Sequence, residues 1–259
     1  MQYIFLSHDV DWRKQGAPLE HILDRSDRFD GETLANLGTK NPYYNIPEFM
    51  AIEEKFGLKS TFFFRTRYEQ GNYLDYEDDV RELIKGGWEI GLHSDPSSVS
   101  DLGKIKEEKT KLEKLTRDVI SANRVHYLGF DSELPGKLKA LGFAYDSSTK
   151  RFKDRIDTSD MGYYVTDHLI EFPITLMDAY LFTYMKVTEE KILKTFADAL
   201  DLGRKFRPAF NILSMIWHDN VLKMKGGRMY SKILQYLVSQ DDVKILRGAD
   251  LVEIINKRD

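Results

Sequence analysis

The chain has 259 residues, with 38 Lys and Arg against 42 Asp and Glu, a formal net charge of −4. A composition 42% hydrophobic and 31% charged belongs to a globular protein with a sizeable core, and the mild acidity argues against a nucleic-acid partner. Cysteine is absent, which excludes disulfide scaffolds, thiolate nucleophiles and zinc–sulfur sites, so any metal must be held by His, Asp or Glu.

In chain order, aromatic and β-branched runs predict strands over 3–7, 60–65, 88–92, 124–128, 143–146, 169–172, 210–217 and 243–246. Between them, amphipathic spacing predicts helices over 47–56, 76–85, 102–121, 133–141, 189–205 and 227–239. In the third helix Leu102, Ile105, Leu112, Leu115 and Val119 form an apolar stripe. Its other face (Lys104, Lys106, Glu107, Glu108, Lys109, Lys111) reads as a solvated surface with i,i+4 pairs. The longest apolar runs, such as 209–217, fall far short of the ~20 residues of a membrane span. The start Met1-Gln2-Tyr3-Ile4-Phe5-Leu6-Ser7 has neither a basic segment nor a cleavage site, so the expected location is cytoplasmic.

Eight such alternations predict an α/β protein: a single distorted (β/α) barrel of seven or eight mainly parallel strands, forming one domain over 1–259. The segments 12–46 and 147–168 are longer than ordinary connections. Each follows a strand, so in a barrel each would lie over the C-terminal mouth, where active sites are built. They carry Tyr43, Tyr44, Tyr163, Tyr164, Arg13, Arg151 and Arg155, which read either as sugar-stacking or lid residues or as ordinary loop packing.

Four short motifs carry chemistry. Asp9-Val10-Asp11 closes the first strand with both carboxylates on one face; such a pair repels unless a cation or a shared proton intervenes. Past the third strand comes Gly91-Leu92-His93-Ser94-Asp95-Pro96-Ser97, which would bring His93 to the same mouth as Asp11. At the fourth strand Arg124 and His126 alternate onto one face, and a buried Arg there calls for an acidic partner, either Asp9 or Asp146. Ile216-Trp217-His218-Asp219 ends the longest apolar strand. Thus His8, His93, His126 and His218 sit in strands or at their ends, while His21 and His168 fall in loops without an assigned role.

In this order the motifs resemble those of the polysaccharide deacetylases of NodB type, carbohydrate esterase family four, in a divergent form. Asp9-Val10-Asp11 is similar to the first motif, and Lys59-Ser60-Thr61-Phe62-Phe63-Phe64 to the second strand. Gly87-Trp88-Glu89-Ile90-Gly91-Leu92-His93-Ser94 resembles the metal-histidine motif. Arg124-Val125-His126-Tyr127 stands where the family has Arg-x-Pro-Tyr, and Ile216-Trp217-His218 where it has its final histidine. The resemblance implies Asp9 as general base, Asp11 and His93 as metal ligands, and Arg124 as the partner that tunes Asp9. It further implies the Tyr127 backbone N–H at the oxyanion, His218 as general acid, and Asp146 or Asp178 as the support of that acid.

The sequence departs from the family pattern at two places. The second metal histidine is replaced by Ser97, so the third ligand expected of a catalytic site would be His126, with Asp95 as the local alternative. Leu128 stands where glycine is common. The resemblance implies a hydrolase that cleaves an acetyl group from an N-acetylated sugar or polysaccharide using a divalent metal, zinc first, with cobalt, nickel or manganese as alternatives. Two other readings stay open: a glycan-binding or assembly protein with impaired catalysis, and an amidohydrolase of a small cyclic amide.

Overall fold

One sheet of ten strands organises the computed structural model, which describes residues 1–258. The strands are β1 (Gln2–Val10), β2 (Thr61–Phe64), β3 (Glu89–Ser94), β4 (Ala122–Val125), β5 (Tyr145–Asp146), β6 (Tyr164–Thr166), β7 (Leu169–Glu171), β8 (Ile174–Met177), β9 (Asn211–Ile216) and β10 (Val243–Leu246). Their order is β6-β7-β5-β4-β3-β2-β1-β9-β8, with β10 also paired to β1. Every ladder is parallel except β6 with β7.

The sequence forces this sheet to curl. β7 and β8 lie near opposite ends of the hydrogen-bonded path, yet only Phe172 and Pro173 separate them. The three steps from Glu171 to Ile174 reach roughly 11 Å at most, so the two ends must come close together. Pro173, which has no N–H for a ladder, marks the break where the chain crosses from one edge to the other. The result is the expected distorted, mainly parallel barrel, left open on one side.

All eight predicted strands are present with bounds shifted by a few residues, and two short ones were not predicted. β6 has three exposed residues and pairs antiparallel, so it carries no buried alternation. β8 is hidden by the adjoining proline. The helix predicted to run to residue 121 spans Leu102–Thr116 and stops at Arg117, whose φ of 58° is left-handed. Val119 therefore leaves the stripe and is exposed, as is Leu102 at the first turn, while Ile105, Leu112 and Leu115 are buried. The solvated face needs a second correction. Lys111 pairs with Glu107 as expected, but Glu108 is buried and accepts from the Asp95 N–H and Ser98 Oγ. Lys109 is buried too, against the Phe143 ring. Among the described residues no helix is long and apolar enough to cross a membrane.

Alternation along β1 separates two apolar layers. Ile4, Leu6 and Val10 face outward under the helices, with Phe62, Phe64 and Trp217. Phe5 faces inward with Phe63, Tyr145 and Phe172, and Leu251 and Ile255 of the last helix (Gly248–Asn256) join this inner cluster. Above Phe5 on the same face come Ser7, Asp9 and then Asp11, so β1 carries its inner face from apolar packing to charge within six residues.

The outer layer holds one buried polar node. The Glu53 carboxylate, fully buried, accepts from Ser60 Oγ, Trp88 Nε1 and Tyr230 Oη and contacts His8 Nε2 at 2.7 Å. It ties the helix Ile46–Lys55 to the sheet and to the helix Tyr230–Val238. Replacing it strands several buried polar groups at ~1–3 kcal/mol each. We expect Glu53→Ala to lose at least ~3 kcal/mol in urea unfolding; a loss below ~1 kcal/mol would show that the node is not structural.

Candidate active site

The charged end of β1 meets the ends of β3, β4 and β9 at the barrel mouth. Arg124 is buried on β4, and its Nη1 donates to Asp9 Oδ1 at 2.7 Å and to Ser7 Oγ at 2.9 Å. Its Nε and Nη2 donate to Ser147 O and Oγ, and its guanidinium stacks 4.3 Å over the Phe63 ring. A side chain at Gly91 would collide with that ring, its Cβ falling 2.5 Å from Phe63 Cδ1. Of the two acidic partners expected for Arg124, the structure supplies Asp9.

Burial pushes the Asp9 carboxyl up, but Arg124 and the His93 and His218 imidazoles outweigh it and hold the group below its usual range. Arg124 occupies Oδ1, leaving Oδ2 to face the mouth, 3.9 Å from both His93 Nε2 and His218 Nε2.

Three ligating atoms converge beside it. His93 Nε2 lies 3.1 Å from Asp11 Oδ1 and 3.1 Å from His126 Nδ1, which is itself 3.2 Å from Asp11 Oδ1. A tetrahedral ion with bonds of ~2.0–2.1 Å separates its ligands by about 3.3 Å, so the triangle has the size such an ion requires. The second contact of His93 fits as well. Its Nδ1 donates to the Arg124 carbonyl at 3.0 Å, which directs the Nε2 lone pair inward. Burial raises the Asp11 carboxyl, but the His126 and His93 imidazoles beside it drive it well below the ordinary value, as suits an anionic ligand. Asp95 and Ser97 take no part: Asp95 sits 3.7 Å from Arg65 and accepts the N–H of Ser97, which is exposed.

Across the mouth, His218 Nδ1 donates to Asp178 Oδ1 at 2.6 Å, and its own N–H to Asp178 Oδ2 at 2.6 Å. Burial lowers the His218 imidazole, yet the Asp178 charge and hydrogen bond, with Asp11 and Asp9, bring it up to about 10. A histidine raised in this way contributes stability that is fully present below its ordinary ~6.5 and lost as pH rises through about 10. In metal-free protein, Asp178→Asn should lower the proton affinity of His218 by at least ~10-fold, read by NMR titration of the imidazole. An unchanged midpoint would remove Asp178 from this role.

Asp146 does not support His218. It lies on β5 in register with Glu171 and accepts from Asn123 Nδ2 and Ser148 Oγ. Burial raises both carboxyls, and the Asp146 charge pushes Glu171 further. Its place is structural, since Ser148 Oγ in turn accepts the Val125 N–H and Ser147 holds Arg124.

Tyr127 and Leu128 turn the chain at the mouth with φ of 58° and 56°, a region that costs a non-glycine residue ~1 kcal/mol. This explains why glycine suits the Leu128 position. The Tyr127 ring lies over His126 at 3.9 Å and is 84% exposed.

Two residues without a sequence-assigned role belong here. Ser7 shares the inner face of β1 with Asp9 and Asp11, a period-2 relation visible in the sequence. Asp219, next to His218, is wholly buried, and neither carboxyl oxygen has a hydrogen-bond partner among the described residues. Burial and then the Asp11 charge push its carboxyl well up. Of the seven tyrosines and arginines singled out in the long segments, Tyr43 alone lines the mouth among the described residues. Tyr44 bonds Asp79, Tyr163 packs on Phe210 and Tyr164 bonds Thr149. Arg13 bonds Gln70 O, and Arg151 and Arg155 cover Phe152.

No protein-family model matches the sequence, and no curated protein matches it. Solved structures do match. One from Mycobacterium smegmatis, described as a polysaccharide deacetylase, superposes with a TM-score of 0.69 at 18% identity, over 99% of this chain and 91% of that one. The Puue allantoinase gives 0.67 at 16%, over 97% and 89%. A second structure described as a polysaccharide deacetylase, from Pseudomonas aeruginosa PAO1, gives 0.66 at 16%, over 97% and 90%. The chain thus has the fold of the NodB-type polysaccharide deacetylases, in a form of divergent sequence.

Proposed function

We propose that this chain is a metal-dependent amidohydrolase that releases acetate from an N-acetylated sugar. The observation that carries the reading is the convergence of Asp11 Oδ1, His93 Nε2 and His126 Nδ1 between an ionised Asp9 and an imidazole paired with Asp178. A divalent ion held by those three residues would lower the pKa of a bound water from 15.7 toward ~7, which brings its proton within reach of a carboxylate as weakly basic as Asp9.

The protein's own groups then divide the proton work. Asp9 Oδ2 takes the proton of the attacking water, while Arg124 fixes Oδ1 and keeps the group ionised. A C–O bond forms at the acetyl carbon and the amide C–N bond breaks. His218, protonated and held by Asp178, gives its Nε2 proton to the departing nitrogen, which would otherwise leave as an amide anion. The products are acetate and a free amino sugar. The aromatic face of Tyr127 at the rim offers a surface for a sugar ring.

The test is acetate release from a panel of N-acetylated sugars, with allantoin as the cyclic-amide control. Protein stripped with a chelator should lose at least ~99% of its rate and regain it on zinc loading. A rate indifferent to chelation, or no acetate from any sugar with metal bound, would overturn the proposal. Hydrolysis of allantoin alone would move the reading to the cyclic amide.

A further inference from the structure

The mouth has two lobes that meet at Asp11, His126 and His218. One, of about 300 Å³, is walled by Tyr127, Tyr180, Tyr184 and Lys153. The other, of about 560 Å³, is floored by Trp12, His21 and Tyr43 and edged by Arg25 and Arg28. The floor is a packed trio: Trp12 meets His21 at 4.5 Å and Tyr43 at 5.3 Å, and His21 meets Tyr43 at 5.6 Å.

What sets these two arginines apart is their place: they edge one lobe of the mouth beside its aromatic floor, without an acid to hold them. Among the described residues neither makes an ion pair, even with the neighbouring Asp24 and Asp27. Arg25 has one hydrogen bond, from Nη1 to the His21 carbonyl. The acids that share this lobe are otherwise engaged: Glu69 is held by Arg65 through both its oxygens, at 3.0 and 3.1 Å, and Asp11 belongs to the ligand triangle. The two guanidiniums also act on their surroundings. Burial, then Arg25 and Arg28, hold the His21 imidazole below its ordinary value, with Asp24 opposing them only in part.

Two unpaired guanidinium forks beside an aromatic floor match a phosphate attached to a ring. We propose that the substrate is a phosphorylated N-acyl sugar, its phosphate held by Arg25 and Arg28 and its N-acyl group reaching the Asp11–His93–His126 triangle. This deepens the deacetylase reading and rests on it for the second half only. The phosphate could be a sugar monophosphate or the diphosphate of a nucleotide sugar, and both present the same chemistry to the arginines.

The test is calorimetric binding to zinc-loaded protein, independent of turnover. The probes are N-acetylglucosamine 1-phosphate, uridine diphosphate N-acetylglucosamine and neutral diacetylchitobiose. At least one phosphorylated probe should bind ~10-fold or more tighter than the neutral sugar, and the tighter of the two identifies the source. Arg25→Gln/Arg28→Gln should abolish that preference without changing zinc content, and the exposed Arg28→Gln alone should reduce it, which guards against a folding defect in the double variant. Equal binding of neutral and phosphorylated probes would overturn the proposal. So would a preference that survives in the double variant, because the phosphate would then be bound elsewhere. Phosphate-selective binding without acetate release would instead count against the hydrolytic reading and leave the anion site standing.

Discussion

Asp9→Asn is expected to lower the rate of acetate release by about 10²–10⁴-fold while the protein still takes up metal. The amide keeps the shape of the carboxylate and an oxygen for Arg124 Nη1, and Asp9 is outside the triangle of ligating atoms. What disappears is the free Oδ2 base. The substitution also leaves Arg124, fully buried, without an acidic partner. Breaking a buried pair costs ~3–5 kcal/mol, reduced here because Ser7 and Ser147 still accept from the guanidinium. The variant should therefore unfold at lower urea than the parent. Rates measured on metal-loaded protein, with zinc content and a urea curve on the same sample, separate these effects. Near-normal turnover would remove Asp9 as the base.

The second large effect is on His126. Removing it opens one corner of the proposed three-atom site and leaves Asp11 and His93 as its remaining candidate ligands. Loss of an outer partner of a ligand already costs 10–100-fold in affinity, so His126→Ala should weaken zinc binding by more than ~100-fold. The acetate-release rate at limiting zinc should fall in proportion. Competition with a chromophoric chelator gives the affinity. Ser97→His is the complementary variant: it restores the spacing of the NodB-type motif that the sequence resembles, but Ser97 is exposed and bonded into the Asp95 turn, so it should not rescue His126→Ala. An unaltered affinity in His126→Ala would mean that another side chain completes the site.

Much of this site could be read from the chain because it is built at strand ends. Period-2 alternation places Asp9 and Asp11 together, and the parallel order of β1, β3 and β4 brings His93 and Arg124 to the same end. Alternation alone leaves three features undecided. The choice of Asp178 over Asp146 depends on which loop lies beside β9, and both aspartates follow strands. His126, which the sequence analysis names as the expected third ligand, stands beyond β4 in a short 3-10 turn (His126–Leu128), so its place at the mouth does not follow from strand alternation alone. The basic lobe draws on 12–46, where the short helices Leu19–Leu23 and Gly31–Ala35 are too brief to leave a periodic signal. In the same way β6 and β8 were missed because one is exposed and the other adjoins Pro173. The buried Glu108 shows the converse failure, a charged helix face that is half interior because the turn after β3 needs an acceptor.

The most direct measurement is the zinc content of wild-type protein by elemental analysis, after chelator treatment, reloading and removal of free ion. The proposed site at Asp11, His93 and His126 predicts one zinc per chain, retained through desalting. Less than about a tenth of an equivalent at every loading would contradict the account and leave a barrel with its acid and base groups but no centre between them.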